Sequence, residues 1–263
     1  MSSKKHILSF SGGKDSTFLL LESIRRNEPL DEVVFFDTGW EFPVMYEHIE
    51  KCKKLCEKHS IKFVTLRPKY SFDYLMFDKP KTKRNGEKVK GNSWCGGNGH
   101  CRWGTFIKQK HLNEYTKSHF VYLGICVDEP LRLVNLESHK LAPLAEWGIT
   151  ESQCLQGCYE AGFDWGGMYE HLDRLSCKVC ANKNLKELRN IRKYYPEVWK
   201  ELKDYQQRTD RLYNEKLKYS VFDLEKRFAF EEERTASGLS ITSREFHREL
   251  KEKLRKNVED YIE

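Results

Sequence analysis

Ile7-Leu8-Ser9-Phe10-Ser11-Gly12-Gly13-Lys14-Asp15-Ser16-Thr17 is the stretch that decides how this chain folds. A short apolar run ends in Ser-Gly-Gly-Lys-Asp-Ser, and an apolar helical pattern (Phe18, Leu19, Leu20, Leu21, Ile24) follows at once. That order predicts a strand, a glycine turn and a helix N-terminus. A helix start presents unpaired N–H groups at the positive end of its dipole. Gly12 and Gly13 let the backbone come close to an anion. Lys14 adds a point charge, and Ser11 and Ser16 add hydroxyls, with Ser9 just before them. The segment reads as a pyrophosphate cradle. It is not a Walker A loop, whose glycines stand further apart and whose lysine precedes Ser or Thr. Strand, turn, charge and helix agree, which a plain Gly-Gly turn with a capping serine would not require.

Outward from this stretch, strands and helices alternate. Val33–Phe36 predicts a second strand, Val44–His59 a helix with Pro43 at its first position, and Ile61–Leu66 a third strand. Residues 67–100 break the pattern with prolines and glycines, an insertion long enough to be functional or disordered. Helix resumes near Arg102–Tyr115, Phe120–Ile125 predicts a fourth strand and Lys140–Pro143 a fifth. Such alternation predicts an α/β fold with a parallel five-stranded sheet, whose ligands sit at the carboxyl ends of the strands. From Asn184 onward the chain is charged and helix-like, with breaks near Pro196 and at Ser237-Gly238. The expected division is a nucleotide-binding domain over 1–183, carrying the insertion, and a helical C-terminal region over 184–263.

The 263 residues can bury a real core, and a third of them are charged. Mean hydropathy is −0.74, and no apolar run approaches a membrane span. Met1-Ser2-Ser3-Lys4-Lys5-His6 leads straight into the first strand, so no signal peptide is expected before the fold. Nine cysteines without an export signal point to a reducing, cytoplasmic setting. The net charge of +6 suits phosphate-bearing ligands and permits nucleic acid.

Four motifs carry a family resemblance. Ser-Gly-Gly-Lys-Asp-Ser at the end of the first strand resembles the PP-loop of the ATP pyrophosphatase, or adenine nucleotide alpha-hydrolase-like, superfamily. Asp37-Thr38-Gly39-Trp40-Glu41-Phe42-Pro43 is similar to the second-strand motif of the phosphoadenosine phosphosulfate (PAPS) reductase family. Gly124-Ile125-Cys126-Val127-Asp128-Glu129-Pro130-Leu131-Arg132 resembles the family's Gly-Ile-Arg-x-Asp-Glu-Ser-x-x-Arg, with Cys126 for an arginine, Pro130 for a serine and the last arginine one residue early. Leu141-Ala142-Pro143-Leu144-Ala145-Glu146-Trp147 resembles its Pro-Leu-x-x-Trp segment. The resemblance implies a sheet of the PP-loop/HUP type binding ATP, PAPS or adenosine phosphosulfate (APS) with Mg²⁺. It implies nucleotide contacts from Ser9, Ser11, Gly12, Gly13, Lys14, Asp15, Ser16, Asp37, Thr38 and Gly39. It implies catalytic roles for Lys14, Asp15, Asp37, Glu129 and Arg132. In the family a lysine in an Arg-Trp-Cys-x-x-x-x-Lys segment lies near substrate; here Arg102-Trp103 is followed by Gly104, with Lys108 and Lys110 beyond.

The cysteines form a second constellation. Cys95 and Cys101 lie in a glycine-rich loop, and Cys177 and Cys180 bracket Lys178-Val179. Two close pairs in turn-prone settings can supply four thiolates to zinc or an iron–sulfur cluster. APS reductases and some PP-loop thiolation enzymes resemble this in pairing such cysteines at a [4Fe-4S] cluster; simple loop thiols remain the alternative. His100 is a possible substitute ligand. Cys52 with Cys56, and Cys154 with Cys158, have the spacing of helical core residues. Cys126, at the nucleotide-facing strand end, is either a reactive thiol or a small residue making room.

The basic run Lys79–Lys90 is most simply a solvated loop, and otherwise a clamp for a phosphate-rich or nucleic-acid substrate. The family's reductases carry a nucleophilic cysteine in a C-terminal Glu-Cys-Gly-x-His segment, and no cysteine follows Cys180 here. The expectation is therefore ATP-dependent adenylation of a small-molecule or nucleic-acid acceptor, followed by sulfur insertion from a sulfur donor protein. The sequence is compatible with a homodimer without fixing the oligomeric state, and no membrane partner is expected. A sulfonucleotide reductase or sulfate adenylyltransferase-like enzyme, and a non-catalytic nucleotide sensor, are the alternatives.

Overall fold

The computed structural model describes residues 4–92, 94, 101–214 and 217–259. Two compact units are formed, one from Met1–Leu75 with Arg102–Cys180 and the other from Met76–Cys101 with Ala181–Glu263.

The first unit begins with β1 (His6–Phe10), α1 (Lys14–Arg25), β2 (Glu32–Phe36), α2 (Pro43–Lys58) and β3 (Lys62–Leu66). All five residues of β2 are buried, as a strand covered on both faces requires. α1 turns Leu19 and Leu20 inward, and α2 turns in Met45, Ile49, Cys52 and Cys56 at helical spacing. After the second unit's first segment the chain returns through a wide-wound turn at Arg102–Lys108 into α3 (Gln109–Thr116). The single helix expected over Arg102–Tyr115 is thus two windings, with the regular part starting only at Gln109. β6 (Phe120–Tyr122), α4 (Pro130–Leu133), β7 (Lys140–Leu141), α5 (Pro143–Glu146) and α6 (Glu151–Glu160) follow, then a tight helical turn at Trp165–Glu170.

The five strands form one sheet in the order β3-β2-β1-β6-β7, every neighbouring pair parallel. Leu8 pairs with Val33 on one side and Tyr122 on the other. The chain runs outward from β1 through β2 to β3, then resumes on the opposite side at β6. The order therefore reverses between β1 and β6, and a crevice opens at the carboxyl ends of these two strands, where such sheets take ligands.

In the second unit, part of the expected insertion forms an antiparallel hairpin of β4 (Pro80–Thr82) and β5 (Lys88–Lys90). Its base packs within that unit: Phe77 lies 5.1 Å edge-on to Tyr205, and Trp94 4.9 Å edge-on to Tyr213. Four helices complete it: α7 (Leu185–Tyr194), α8 (Pro196–Gln207), α9 (Val221–Ala236) and α10 (Arg244–Glu259). Asn184 with Glu187, and Ser220 with Asp223, form reciprocal caps at the starts of α7 and α9. Phe246 of α10 stacks on Phe230 of α9 at 5.5 Å. Among the described residues, no helix is long and apolar enough to cross a membrane.

Candidate functional site

The glycine loop sits between β1 and α1 as its residue types dictate. Gly12 takes a φ of +79°, and a Cβ there would meet Met45 Sδ at 2.8 Å. Ser11 and Ser16 join across the loop, their hydroxyls 3.0 Å apart, while the Ser11 amide donates to Ser16 Oγ at 3.2 Å. Ser16 Oγ also donates to the Gly13 carbonyl, and the Gly13 amide to Ser11 Oγ. The Trp165–Glu170 turn braces the loop from outside. Trp165 Nε1 donates to the Gly12 carbonyl at 2.8 Å, and the Lys14 amide donates to the Tyr169 hydroxyl at 2.8 Å. Trp165 itself has a φ of +50°, a strained conformation for an aromatic residue. β6 approaches from the other side: a Cβ on Gly124 would lie 2.9 Å from the Ser16 amide nitrogen.

Lys14 does not reach into open space. Its ammonium bonds Asp15 Oδ1 at 2.8 Å and also the Glu151 carboxylate, and the residue is buried. Burial works against its charge, but the two carboxylates outweigh that and raise its pKa. Asp15 is raised by burial even though Lys14 opposes the shift. Cys126 lies beside them, its Sγ 3.7 Å from Asp15 Oδ1 and 3.5 Å from Cys154 Sγ. The bond to Cys154, with burial, pushes the Cys126 thiol far up. Cys158 donates to the Lys14 carbonyl, and burial lifts its pKa to about 12. Among the described residues, Asp15, Cys126 and Cys154 form a close group of ligand-type atoms.

The crevice between β1 and β6 contains a cavity of about 330 Å³. Ser9, Ser11, Asp15 and Ser16 line it from the loop side, Gln109, Asn113 and Thr116 from α3, and Gly124 from the end of β6. Lys108, Arg132 and Lys140 add three cations. Glu129 positions one of them, accepting from Arg132 Nη1 at 2.6 Å and from the Cys126 amide at 3.2 Å. Ser9, Ser11, Asp15, Ser16 and Arg132 therefore meet at one cavity. Gly12, Gly13 and Lys14 shape the loop without lining that cavity.

The remaining expected nucleotide residues stand at the end of β2. Asp37 accepts from the Gly39 amide at 2.9 Å, the Tyr46 hydroxyl at 3.0 Å and Arg67 Nε at 3.1 Å. Thr38 donates to Glu41 at 2.8 Å and lies 3.8 Å from Cys177 Sγ. None of Asp37, Thr38 and Gly39 lines the cavity. Cys177 and Cys180 share one turn, closed by the Cys180 amide on the Cys177 carbonyl at 3.0 Å, and burial lifts the Cys177 thiol to about 12. Cys101 is half-buried in the other unit, and Cys95 and His100 lie outside the described residues.

Residues 5–122 match the family model of the phosphoadenosine phosphosulfate reductase domain. This stretch is a domain of the PAPS reductase family. The match takes in the glycine loop, the Asp-Thr-Gly segment and the strands of the crevice. The chain is also similar to the uncharacterized protein MJ0066 of Methanocaldococcus jannaschii, at 23% identity over 219 residues. That alignment covers 74% of this chain and 40% of the relative, so the chain spans well under half of that protein's length. Several residues around the loop and the cavity have no local signature in the sequence. Lys140 looks like a strand residue, and Glu151, Trp165 and Tyr169 reach the loop only through tertiary packing. A helix-start pattern at Thr150–Gln153 is the one signal that marks Glu151 out.

Proposed function

We propose that this PAPS reductase-type domain binds ATP in the β1–β6 crevice and uses it to adenylate an acceptor, which then receives sulfur. One observation carries the proposal: a single cavity gathers the loop hydroxyls, one carboxylate and the cations Lys108, Arg132 and Lys140. That set suits a polyphosphate chain better than an apolar or neutral ligand. In the reaction an acceptor oxygen attacks the α-phosphorus, the α–β bridging bond breaks and pyrophosphate leaves. Charge grows on the leaving pyrophosphate, and fixed cations and loop hydroxyls stabilise it without reorganising. Sulfur then displaces AMP from the activated acceptor carbon. Asp15 fits a magnesium ion by chemistry, offering a carboxylate oxygen at the cavity wall, and bound Mg²⁺ would neutralise phosphate charge. Glu129 holds Arg132 in place for the same charge.

Sulfonucleotide reduction needs a thiolate at the substrate. Cys126, Cys154 and Cys158 are buried, and the pKa values of Cys126 and Cys158 are raised, so adenylation is the better-supported chemistry. A [4Fe-4S] cluster or zinc on Cys95, Cys101, Cys177 and Cys180 belongs to the proposal on sequence grounds, since soft thiolates suit either. So does a sulfur donor protein. The test is anaerobic incubation with ATP and Mg²⁺ across small-molecule and nucleic-acid acceptors, with metal analysis of the same protein. Acceptor-dependent AMP and pyrophosphate support the proposal. Thioredoxin-dependent sulfite from PAPS or APS overturns it in favour of reduction. Tight nucleotide binding without turnover overturns it in favour of a sensor.

A further inference from the structure

The β4–β5 hairpin concentrates most of the chain's excess charge. Between Lys79 and Lys90 stand Lys79, Lys81, Lys83, Arg84, Lys88 and Lys90 against the single carboxylate Glu87. This segment is an ordered ribbon. Pro80 pairs with Lys90, Lys81 with Val89 and Thr82 with Lys88. The tip is closed by the Lys83 amide on the Glu87 carbonyl at 2.9 Å, with Gly86 at a φ of +85°. The base is locked where the Gly91 amide donates to the Lys79 carbonyl at 2.8 Å; a Cβ on Gly91 would lie 2.0 Å from the Met76 carbonyl oxygen.

The two faces differ. Lys81 and Val89 are half-buried, and Lys81 Nζ bonds Asn92 at 3.2 Å. Lys88 and Lys90 lie on the opposite, exposed face beside Thr82 and Pro80. Lys83 is neutralised by Glu87 at 2.9 Å. Arg84, Lys88 and Lys90 are exposed and have no carboxylate partner among the described residues. A fold gains nothing from holding three like charges together unpaired in water, whereas a polyanion does.

We infer that this hairpin is a docking ribbon for duplex DNA. Two positions along a strand are ~7 Å apart, so Lys88 and Lys90 meet separate phosphates rather than one. A two-stranded ribbon fits the major groove of B-form DNA, which is about 12 Å wide, whereas the A-form RNA groove is too deep and narrow. The exposed charges engage the phosphate backbone, so the surface reads charge and shape. It stands apart from the nucleotide chemistry, because binding is read with no ATP present.

The experiment measures affinity of the full chain for a short blunt DNA duplex by fluorescence anisotropy across a series of sodium chloride concentrations. The wild type should lose affinity steeply with salt. The variant Arg84→Gln/Lys88→Gln/Lys90→Gln should bind at least about tenfold more weakly, with a log-affinity against log-salt slope smaller by about 2 to 3. A control neutralising the exposed Lys54, Lys58 and Lys117 removes equal charge elsewhere and should match the wild type. Arg84→Gln alone, at the tip, should shrink the slope by about 1 and serves if the triple variant melts early. Equal loss in the control, an unchanged triple variant, or tighter binding of the matching single strand or an RNA hairpin overturns the inference.

Discussion

At the scale of the residue, the site depends on how closely backbones approach. A Cβ on Gly124 would meet the Ser16 amide nitrogen at 2.9 Å and the Asp15 carbonyl carbon at 3.0 Å, backbone atoms that cannot swing away. Gly124→Ala should therefore push β6 from the start of α1 and lower stability by roughly 1–3 kcal/mol. Calorimetry should find ATP affinity lost with it; unchanged affinity would mean that the crevice is not the nucleotide site. Tyr169 is the converse case. Its hydroxyl accepts the Lys14 amide that an anion would otherwise engage. Tyr169→Phe should cost about 1 kcal/mol of stability in the free protein, because that amide loses its acceptor. The same variant should bind ATP more tightly, and weaker binding would show instead that the hydroxyl touches the nucleotide. The glycines and serines of this loop were legible in sequence because a local turn demands them. Tyr169 and Trp165 were not, since each meets the loop from more than a hundred positions away.

At the scale of the element, α1 is held by α6. Gly157 of α6 faces Phe18 of α1 so closely that an added Cβ would lie 2.1 Å from Phe18 Cε2. Gly157→Ala should force that ring aside and lower the melting temperature, at a cost of roughly 1–3 kcal/mol. The start of α6 carries Glu151 to Lys14 through a reciprocal cap: Thr150 Oγ1 accepts the Gln153 amide at 3.3 Å, and Gln153 accepts the Thr150 amide at 2.9 Å. Thr150→Ala should cost about 1 kcal/mol by chemical denaturation. The sheet strands were readable because apolar runs such as Val33–Phe36 lie between turn residues. The hairpin was not, since its strands are short, lysine-rich and solvated, and nothing apolar alternates in them. The contact of α6 on α1 escaped for another reason: a glycine facing a phenylalanine leaves no periodic trace. The cysteines divide likewise. Cys52 with Cys56, and Cys154 with Cys158, are buried at the helical spacing their sequence implied. The fate of Cys126 depended on Cys154, which lies outside its own motif.

At the scale of the whole molecule, two of the buried titrating groups contribute at separate stages of the response to acid. His48 bonds Thr17 Oγ1 at 2.9 Å and packs on Phe10, Phe163 and Trp165; burial lowers its pKa to about 4 from 6.5. The unfolded chain therefore takes up this proton first, and stability should fall as pH drops from 6.5 towards 4. Burial would raise the Glu32 carboxyl, but bonds from Lys5, Tyr115 and Lys62 bring it down to about 2. Its contribution is full above pH 4.5 and is lost as pH falls towards 2, amounting to roughly 3 kcal/mol before the exposure of Lys5 and Lys62 is discounted. Unfolding followed against pH should show two successive losses. His48→Asn should flatten the upper and Glu32→Gln the lower; a profile unmoved by either would refute the assignment. The discontinuous second unit has a consequence for biogenesis. A ribosome releases Phe77 and Trp94 long before it makes Tyr205 and Tyr213, the rings that cover them. The nascent chain must therefore carry two bare aromatic groups through the synthesis of the whole remaining sheet, a window in which chaperones have an obvious handhold.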